Sequence, residues 1–485
     1  MRLTASLAIA FLVCALAGWR DDGPDASDPP TPGAALVWQS CDAQSTVAGF
    51  SCATLKVPLD YTKPNGEQIG IALIRLQAKD KAQRIGSLVF NFGGPGGSGV
   101  TTLLGAGQAF STLNQRYDLV SFDPRGVERS EGVHCLRGPA LEKWLDAEPS
   151  EDTATETKLT KAFSEGCQRL SGRVLPYVGT INAVRDMERM RAALGDPKLN
   201  FFGFSYGTQL GAVYASQFPK NVGRMVLDSA VDPAISSLES SRIQIMGFQH
   251  AYEDYLADCV KQGCALGKDT AAANATILGL LDDLAKQPLN VEGRTVTRET
   301  GRTAVAEALY SKLSWPLLTD AISDALKGDG AGLLNLADQF NGRNPDGTYN
   351  TLQSSLVAIS CADTTDRPTI ARAEALMREL TPKAPIFASE AAGAGTCSLW
   401  PFPGEDKNHQ INATGSNPIV VVGVTGDPAT PYQWAQSLTR QLRTATLITL
   451  EGEGHGAYGQ SPCVDAAVNN YLLNGTVPAP NLHCP

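Results

Sequence analysis

A chain of 485 residues is too long for one ordinary hydrophobic core and implies two or three domains, or one domain with a large insertion. With 43% hydrophobic and 19% charged residues the balance is globular. A net charge of −10 with no basic run argues against nucleic acid or an anionic membrane surface as partner.

Residues 1–17 read as a secretory signal: Met1-Arg2, an apolar stretch, then small residues for cleavage after Ala17. The stretch is short for a membrane span. A lipid anchor is disfavoured, because Trp19 stands where the lipidated cysteine belongs and the residues before Cys14 fit that pattern poorly. The expectation is therefore an exported protein, periplasmic or extracellular. Residues 18–36, rich in Pro, Asp and Gly, read as a solvated linker. Removing Cys14 with the signal leaves an even set of cysteines in sequence-near couples: Cys41 and Cys52, Cys135 and Cys167, Cys259 and Cys264, Cys361 and Cys397, Cys463 and Cys484. Disulfides in an oxidising compartment suit this pattern, with neighbour pairing as the simplest of several connectivities. A metal site is disfavoured, since there is no C-x-x-C and the histidines do not cluster with cysteines.

The core pattern begins with strands at 53–58 and 69–76, with Lys63-Pro64-Asn65-Gly66 as the turn between them. An apolar strand at 87–92 ends in Gly93-Gly94-Pro95-Gly96-Gly97-Ser98-Gly99, and another at 117–122 ends in Asp123-Pro124-Arg125-Gly126. A charged helical segment near 140–170 and a helix at 182–194 precede a buried strand that runs through Gly203-Phe204-Ser205-Tyr206-Gly207 into a helix. A further strand spans 223–228. Strands apolar throughout and separated by helices imply a parallel sheet covered on both faces, with its site in the loops after the strand C-termini. From 233 to 405 strand-like runs vanish and helical runs dominate, at 240–259, 270–286, 299–310, 317–326, 352–359 and 370–380. Strands resume at 418–424 and 445–450, and a helix at 464–473 follows. The reading is an α/β core in two parts, 37–232 and 406–485, interrupted by a helical cap at 233–405.

The strand, G-x-S-x-G and helix succession at 200–215 is the context of a nucleophile held on a sharp turn, where a side chain at either glycine would collide with neighbouring backbone. Ser205 is the candidate nucleophile. A serine hydroxyl needs an oriented base. Among five histidines, His455 alone follows a core strand within a glycine-rich loop, Glu451-Gly452-Glu453-Gly454-His455-Gly456. Asp427, at the end of the preceding strand, is the candidate acid, with Asp228 as runner-up; the chain order serine, acid, histidine is that of α/β-hydrolases. The oxyanion donors would be the amides of Tyr206 and of Gly94, with Gly93 as an alternative to the latter. The glycine loop lacks the Lys-Ser/Thr ending of a phosphate-binding loop. No cofactor or metal is called for.

Together Gly93 to Gly99, Asp123 to Ser130, the Gly203 to Gly207 elbow, Thr425-Gly426-Asp427 and Gly454-His455-Gly456 resemble an exported bacterial tripeptidyl-aminopeptidase. These enzymes form a prolyl-iminopeptidase-like branch of the α/β-hydrolase serine peptidases. Val57-Pro58-Leu59-Asp60-Tyr61, Cys361 and a similar C-terminal segment extend the resemblance over nearly all of the mature chain. Glu128 departs from it, standing where glycine is usual. The resemblance implies cleavage of short peptides from a free N-terminus, with acidic cap groups for the substrate ammonium; Asp363 and Glu390 are nominated for that role and Trp400 for the pocket wall. A carboxylesterase or lipase would use the same triad, and a non-catalytic hydrolase-fold binding protein is the alternative of a different class. An Asp-nucleophile dehalogenase is disfavoured by Ser205. Oligomeric state stays open.

Overall fold

The structure is a computed structural model that describes residues 36–41, 49–148, 152–405 and 409–485. The expected signal, Cys14, Trp19 and all but the last residue of the expected linker lie outside the described residues.

Twelve strands are found among the described residues: β1 (Gln39–Ser40), β2 (Phe50–Pro58), β3 (Gln68–Leu76), β4 (Gly86–Asn91), β5 (Tyr117–Phe122), β6 (Leu199–Phe204), β7 (Val222–Asp228), β8 (Leu289–Val291), β9 (Arg294–Val296), β10 (Ile419–Gly426), β11 (Ala445–Glu453) and β12 (Leu482–Cys484). The helices that interleave them in the core are α1 (Gly99–Ala106), α2 (Pro139–Leu145), α3 (Thr153–Ser171), α4 (Thr180–Leu194) and α5 (Tyr206–Gln217). The insertion carries α6 (Ser237–Lys261), α7 (Thr270–Lys286), α8 (Arg298–Leu309), α9 (Trp315–Ala325), α10 (Ala331–Asn341), α11 (Leu352–Ala362) and α12 (Ile370–Leu380). Two more core helices follow, α13 (Gln433–Leu442) and α14 (Pro462–Asn474).

Ten strands form one sheet in the order β1-β2-β3-β5-β4-β6-β7-β10-β11-β12. The three N-terminal strands are antiparallel and the rest pair in parallel. This is the α/β-hydrolase architecture. The parallel strands read as continuous apolar runs because both faces are buried. Along β4, Val89 enters one core cluster while Leu88 and Phe90 enter the opposite one, the two-residue alternation of a pleated strand. Helices α4, α5 and α13 fill the first face; α1 and α14 fill the second. Strand order reverses between β4 and β6, so the loops after these two strands meet at the switch point where such sheets hold their sites.

A third apolar cluster, built from α6 to α10 and α12, gives the insertion its own core. Three features differ from the sequence reading. Strands β8 and β9 form a hairpin inside the helical region, too short for a periodic signal. Helix α10 was not foreseen. Helix α11, with Cys361, Cys397 and Trp400, packs into the sheet's core cluster and not into the cap's. The ten cysteines pair as nearest neighbours, Cys41–Cys52, Cys135–Cys167, Cys259–Cys264, Cys361–Cys397 and Cys463–Cys484. No helix among the described residues is long and apolar enough to cross a membrane.

Candidate active site

Strand β6 delivers Ser205 onto a left-handed backbone, φ 54° and ψ −125°, and α5 starts at the next residue. A non-glycine residue held there costs about 1–3 kcal/mol, tolerated only where the surroundings enforce it. They do so by close backbone contact. A Cβ on Gly203 would come within 2.3 Å of the Gly207 carbonyl oxygen, and one on Gly207 within 2.4 Å of the Asn91 carbonyl oxygen. The Ser205 N–H donates to the Asp228 carbonyl at 3.0 Å.

The candidate acid and base loops follow β10 and β11, which are neighbours in the sheet. His455 Nδ1 lies 2.9 and 3.0 Å from the two Asp427 carboxylate oxygens. Asp427 is buried, and its carboxylate also accepts from the Ala429 and Thr430 amides and the Thr430 hydroxyl, at 3.0, 2.9 and 2.9 Å. These bonds fix the carboxylate's direction within its own tight turn. Thr430 also approaches His455 Nδ1 at 3.3 Å, a role no sequence pattern signals beyond its place three residues after an aspartate. Burial disfavours the charged imidazole, but the touching Asp427 carboxylate and nearby Asp228 outweigh it and raise the His455 pKa. The backbone of His455 is held by the insertion: its N–H donates to the Tyr310 carbonyl at 2.8 Å, and the Tyr310 ring meets the imidazole edge to face at 5.4 Å.

Asp228, the runner-up acid, takes a different place. It is fully buried, and its carboxylate accepts the amides of Ala457 and Tyr458 at 2.9 and 2.8 Å, while the neighbouring Ser229 hydroxyl accepts the Gly456 amide at 2.7 Å. Burial pushes its carboxyl up to about 6. One residue thus ties the serine turn, through its carbonyl, to the histidine loop, through its side chain.

The glycine loop abuts the serine turn. A Cβ on Gly93 would stand 2.8 Å from the Ser205 Cβ and 3.3 Å from the Tyr206 nitrogen. The Gly93 amide is spent on the Asn91 side chain at 3.0 Å, which removes it as the alternative donor. The amides of Gly94 and Tyr206 have no acceptor among the described residues. Tyr206 opens α5, so its N–H lies at the positive end of the helix dipole. Asp123 braces this loop by accepting the Ser98 hydroxyl at 2.6 Å and the Val100 amide at 3.1 Å.

The nominated pocket residues separate. Asp363 is buried in a bonded network: its carboxylate accepts the Thr180 amide at 2.7 Å and hydroxyl at 2.6 Å. Burial pushes it up to about 7. It faces the N-terminus of α4 and not an open recess, which corrects its nomination as an ammonium ligand. Trp400 is buried in the sheet's core cluster and its carbonyl accepts from Arg367 at 3.1 Å, so it is a packing residue and not a pocket wall. Glu390 stays solvent-accessible. Protein nonetheless surrounds it so densely that burial raises its pKa. Two glutamates of α8 are also raised. Glu299 feels the Glu390 charge and is likewise raised by burial; its Oε2 has no hydrogen-bond partner among the described residues but forms an ion pair with Arg302 at 3.5 Å. Glu307 is pushed up to about 7 by burial. Neither Glu307 nor Glu390 has an ion pair within 4 Å among the described residues, and both act electrostatically on Tyr310, the residue packed on His455. The other four histidines lie apart: His250 near Asp254, His483 near Glu451, His409 on the Asp363 carbonyl, and His134 on a surface groove.

A family model for TAP-like proteins matches residues 384–484. Three curated relatives align with nearly the whole chain. It is 37% identical over 481 residues to serine protease Hip1 of Mycobacterium tuberculosis, covering 94% of this chain and 92% of that protein. It is 36% identical over 483 residues to carboxylesterase B of Mycobacterium tuberculosis, with the same two coverages. It is 30% identical over 468 residues to tripeptidyl aminopeptidase of Streptomyces lividans, covering 93% of this chain and 87% of that one.

Proposed function

This chain belongs to the tripeptidyl-aminopeptidase-like serine peptidases of the α/β-hydrolase fold, and from that premise we propose that it is an exported aminopeptidase releasing short peptides from free N-termini. Ser205 attacks the scissile carbonyl. His455 takes the hydroxyl proton through Nε2 and returns it to the leaving amine, while Asp427 holds the imidazole in the required tautomer. The amides of Gly94 and Tyr206 receive the oxyanion. The acyl-enzyme is then hydrolysed by water activated by the same histidine.

The observation that carries the aminopeptidase reading is that Glu390 and Glu307, neither with an ion pair within 4 Å among the described residues, both act on Tyr310, the residue packed on His455. Carboxylates this close to His455 suit an incoming ammonium, with Arg302 the one cation already acting on Glu390 among the described residues. Glu390→Gln should raise KM for free tripeptide substrates about 10–100-fold, the worth of one charge-assisted bond. It should leave N-acetylated peptides and short esters little changed. Steady-state kinetics on a matched panel decides this; wild-type preference for blocked peptides would overturn it, and turnover of esters alone would favour a carboxylesterase.

The two aspartates near His455 should part company. Asp427→Asn should lower kcat by about 10⁴-fold through the wrong tautomer. It should also move the acidic limb of the kcat/KM profile downward. The sign follows from the base being the neutral imidazole: Asp427 favours the charged form, so wild-type activity is lost as pH falls through a raised pKa. Asp228→Asn, which keeps one acceptor for the histidine loop, should retain well over a hundredfold more activity than Asp427→Asn. The reverse ranking in pH-resolved kinetics would make Asp228 the acid.

A further inference from the structure

We propose that α11, although it belongs to the insertion, positions both oxyanion donors: its first turn backs the glycine loop and Asp363, the residue that caps its C-terminus, holds Tyr206 through Thr180. The proposal rests on the reading of the Gly94 and Tyr206 amides as those donors.

At the N-terminal end, α11 is fastened by Glu128, the residue that departs from the family pattern. The Thr351 amide donates to the Glu128 carboxylate at 2.5 Å and the Glu128 amide donates to the Thr351 hydroxyl at 2.9 Å. This is a reciprocal pair of hydrogen bonds made between two distant segments. The fastening is specific enough to hold Glu128 at φ 39°, a left-handed backbone that glycine would adopt freely. Two more bonds fix the same turn: the Ser355 hydroxyl donates to the Gly126 carbonyl at 2.7 Å, and the Ser354 hydroxyl accepts the Cys135 amide at 3.2 Å. The turn then lies directly on Gly96, where a Cβ would come within 2.7 Å of the Leu352 carbonyl oxygen and 3.0 Å of the Leu356 nitrogen. Gly97 in turn folds back on the Gly93 carbonyl. Helix backbone and loop backbone touch with no side chain between them, two residues from Gly94.

At the C-terminal end, Asp363 follows the last turn. The Thr180 hydroxyl donates to its carboxylate at 2.6 Å, so the hydroxyl's remaining capacity is to accept, and the Tyr206 hydroxyl 2.5 Å away is the donor. Tyr206 is buried, and its ring hydroxyl is anchored by this contact while its backbone amide faces the site. One helix, 11 residues long, therefore bears on both sides of the oxyanion hole.

Thr180→Val keeps the shape of the side chain and removes the link. It should lower kcat about 10-fold, a fraction of the hundredfold or more expected for loss of a whole oxyanion donor. KM should change less than about 2-fold, since substrate binding precedes oxyanion formation. The loss should be equal on free tripeptides and short esters, because both form the same oxyanion. Thr180→Ser should restore the rate, and Tyr206→Phe, which cuts the same bond from the other side, should reproduce the loss. Rates are to be normalised to fluorophosphonate-titrated sites, so a poorly folded fraction does not count as slow chemistry. Wild-type kcat in both Thr180→Val and Tyr206→Phe, a change in KM alone, or equal loss in Thr180→Ser would overturn the proposal. Failure of the underlying enzyme reading would instead show as wild-type protein that takes no label.

Discussion

Ser205→Ala should lose about 10⁴–10⁶-fold in kcat on a fluorogenic tripeptide, with KM close to wild type, because it removes the attacking atom and leaves every binding contact in place. The residual rate would come from the oxyanion amides and substrate positioning. Stability should barely move. Alanine must adopt the same φ of 54° that serine does, so the strain of the turn is unchanged. Ser205→Gly separates the two effects: it should be as inactive as the alanine variant but more stable by about 1 kcal/mol, since glycine adopts that backbone without strain. Active-site labelling with a fluorophosphonate, alongside thermal unfolding, reads both. An alanine variant that still labels, or keeps a tenth of its activity, would remove Ser205 from the chemistry.

Arg125→Ala should carry the largest stability cost of any single substitution considered, about 3–5 kcal/mol. Its guanidinium is 1% exposed and spends its donors fully: two bonds to Asp186 at 2.7 Å, and others to the carbonyls of Pro58, Leu59 and Tyr177 at 3.0, 3.0 and 3.2 Å. Removing it leaves three carbonyls short of a partner and a buried Asp186 with only the Tyr61 hydroxyl, 2.6 Å away. The ion pair itself is worth less than this figure suggests, because desolvating both charges offsets most of their attraction. The pair replacement Arg125→Met with Asp186→Leu should be milder than Arg125→Ala alone, because it leaves no unpaired buried charge, although the same three carbonyls stay unpartnered. Denaturant titration of the three variants tests this; a single variant no less stable than the double one would contradict it. The Asp-x-Arg-Gly segment thus serves the scaffold, joining β2 to α4, and Asp123 in the same segment serves the glycine loop.

How far the sequence reaches depends on the range of the forces involved. The sheet is legible because each parallel strand is apolar along its whole length, and the Ser205 turn because its two glycines sit where neighbouring backbones touch. The contact of Asp427 with His455 follows from strand order alone. Other features depend on what the fold brings together. Asp363 lies beside a disulfide cysteine in a helical run and reads as a cap charge; only the packing of α11 against α4 shows it buried on Thr180. Glu299 and Glu307 have the spacing of a solvated helix face, and nothing local distinguishes them from such a face. Asp228 ends an apolar strand much as a catalytic acid would. Its role as anchor depends on the parallel register that sets it level with Phe204 and Val422. Glu128 looks like an irregularity until Thr351, 223 residues away, is placed against it.

The carbonyl of Tyr310, which receives the His455 amide, bears on how this scaffold can be re-engineered. Lids of hydrolases invite exchange as modules, trimmed or transplanted to change what enters the cleft. Here such surgery would take away the acceptor on which the histidine's own backbone hangs, and with it the helix behind the glycine loop. A chimera that swaps α7, α9 and α10 but retains residues 310–311 and 351–363, together with α6, whose Gln244 and Gly247 lie on the Asp427 turn, keeps those supports. One cut at the strand boundaries on either side would leave an intact sheet with a misplaced His455, folded yet slow.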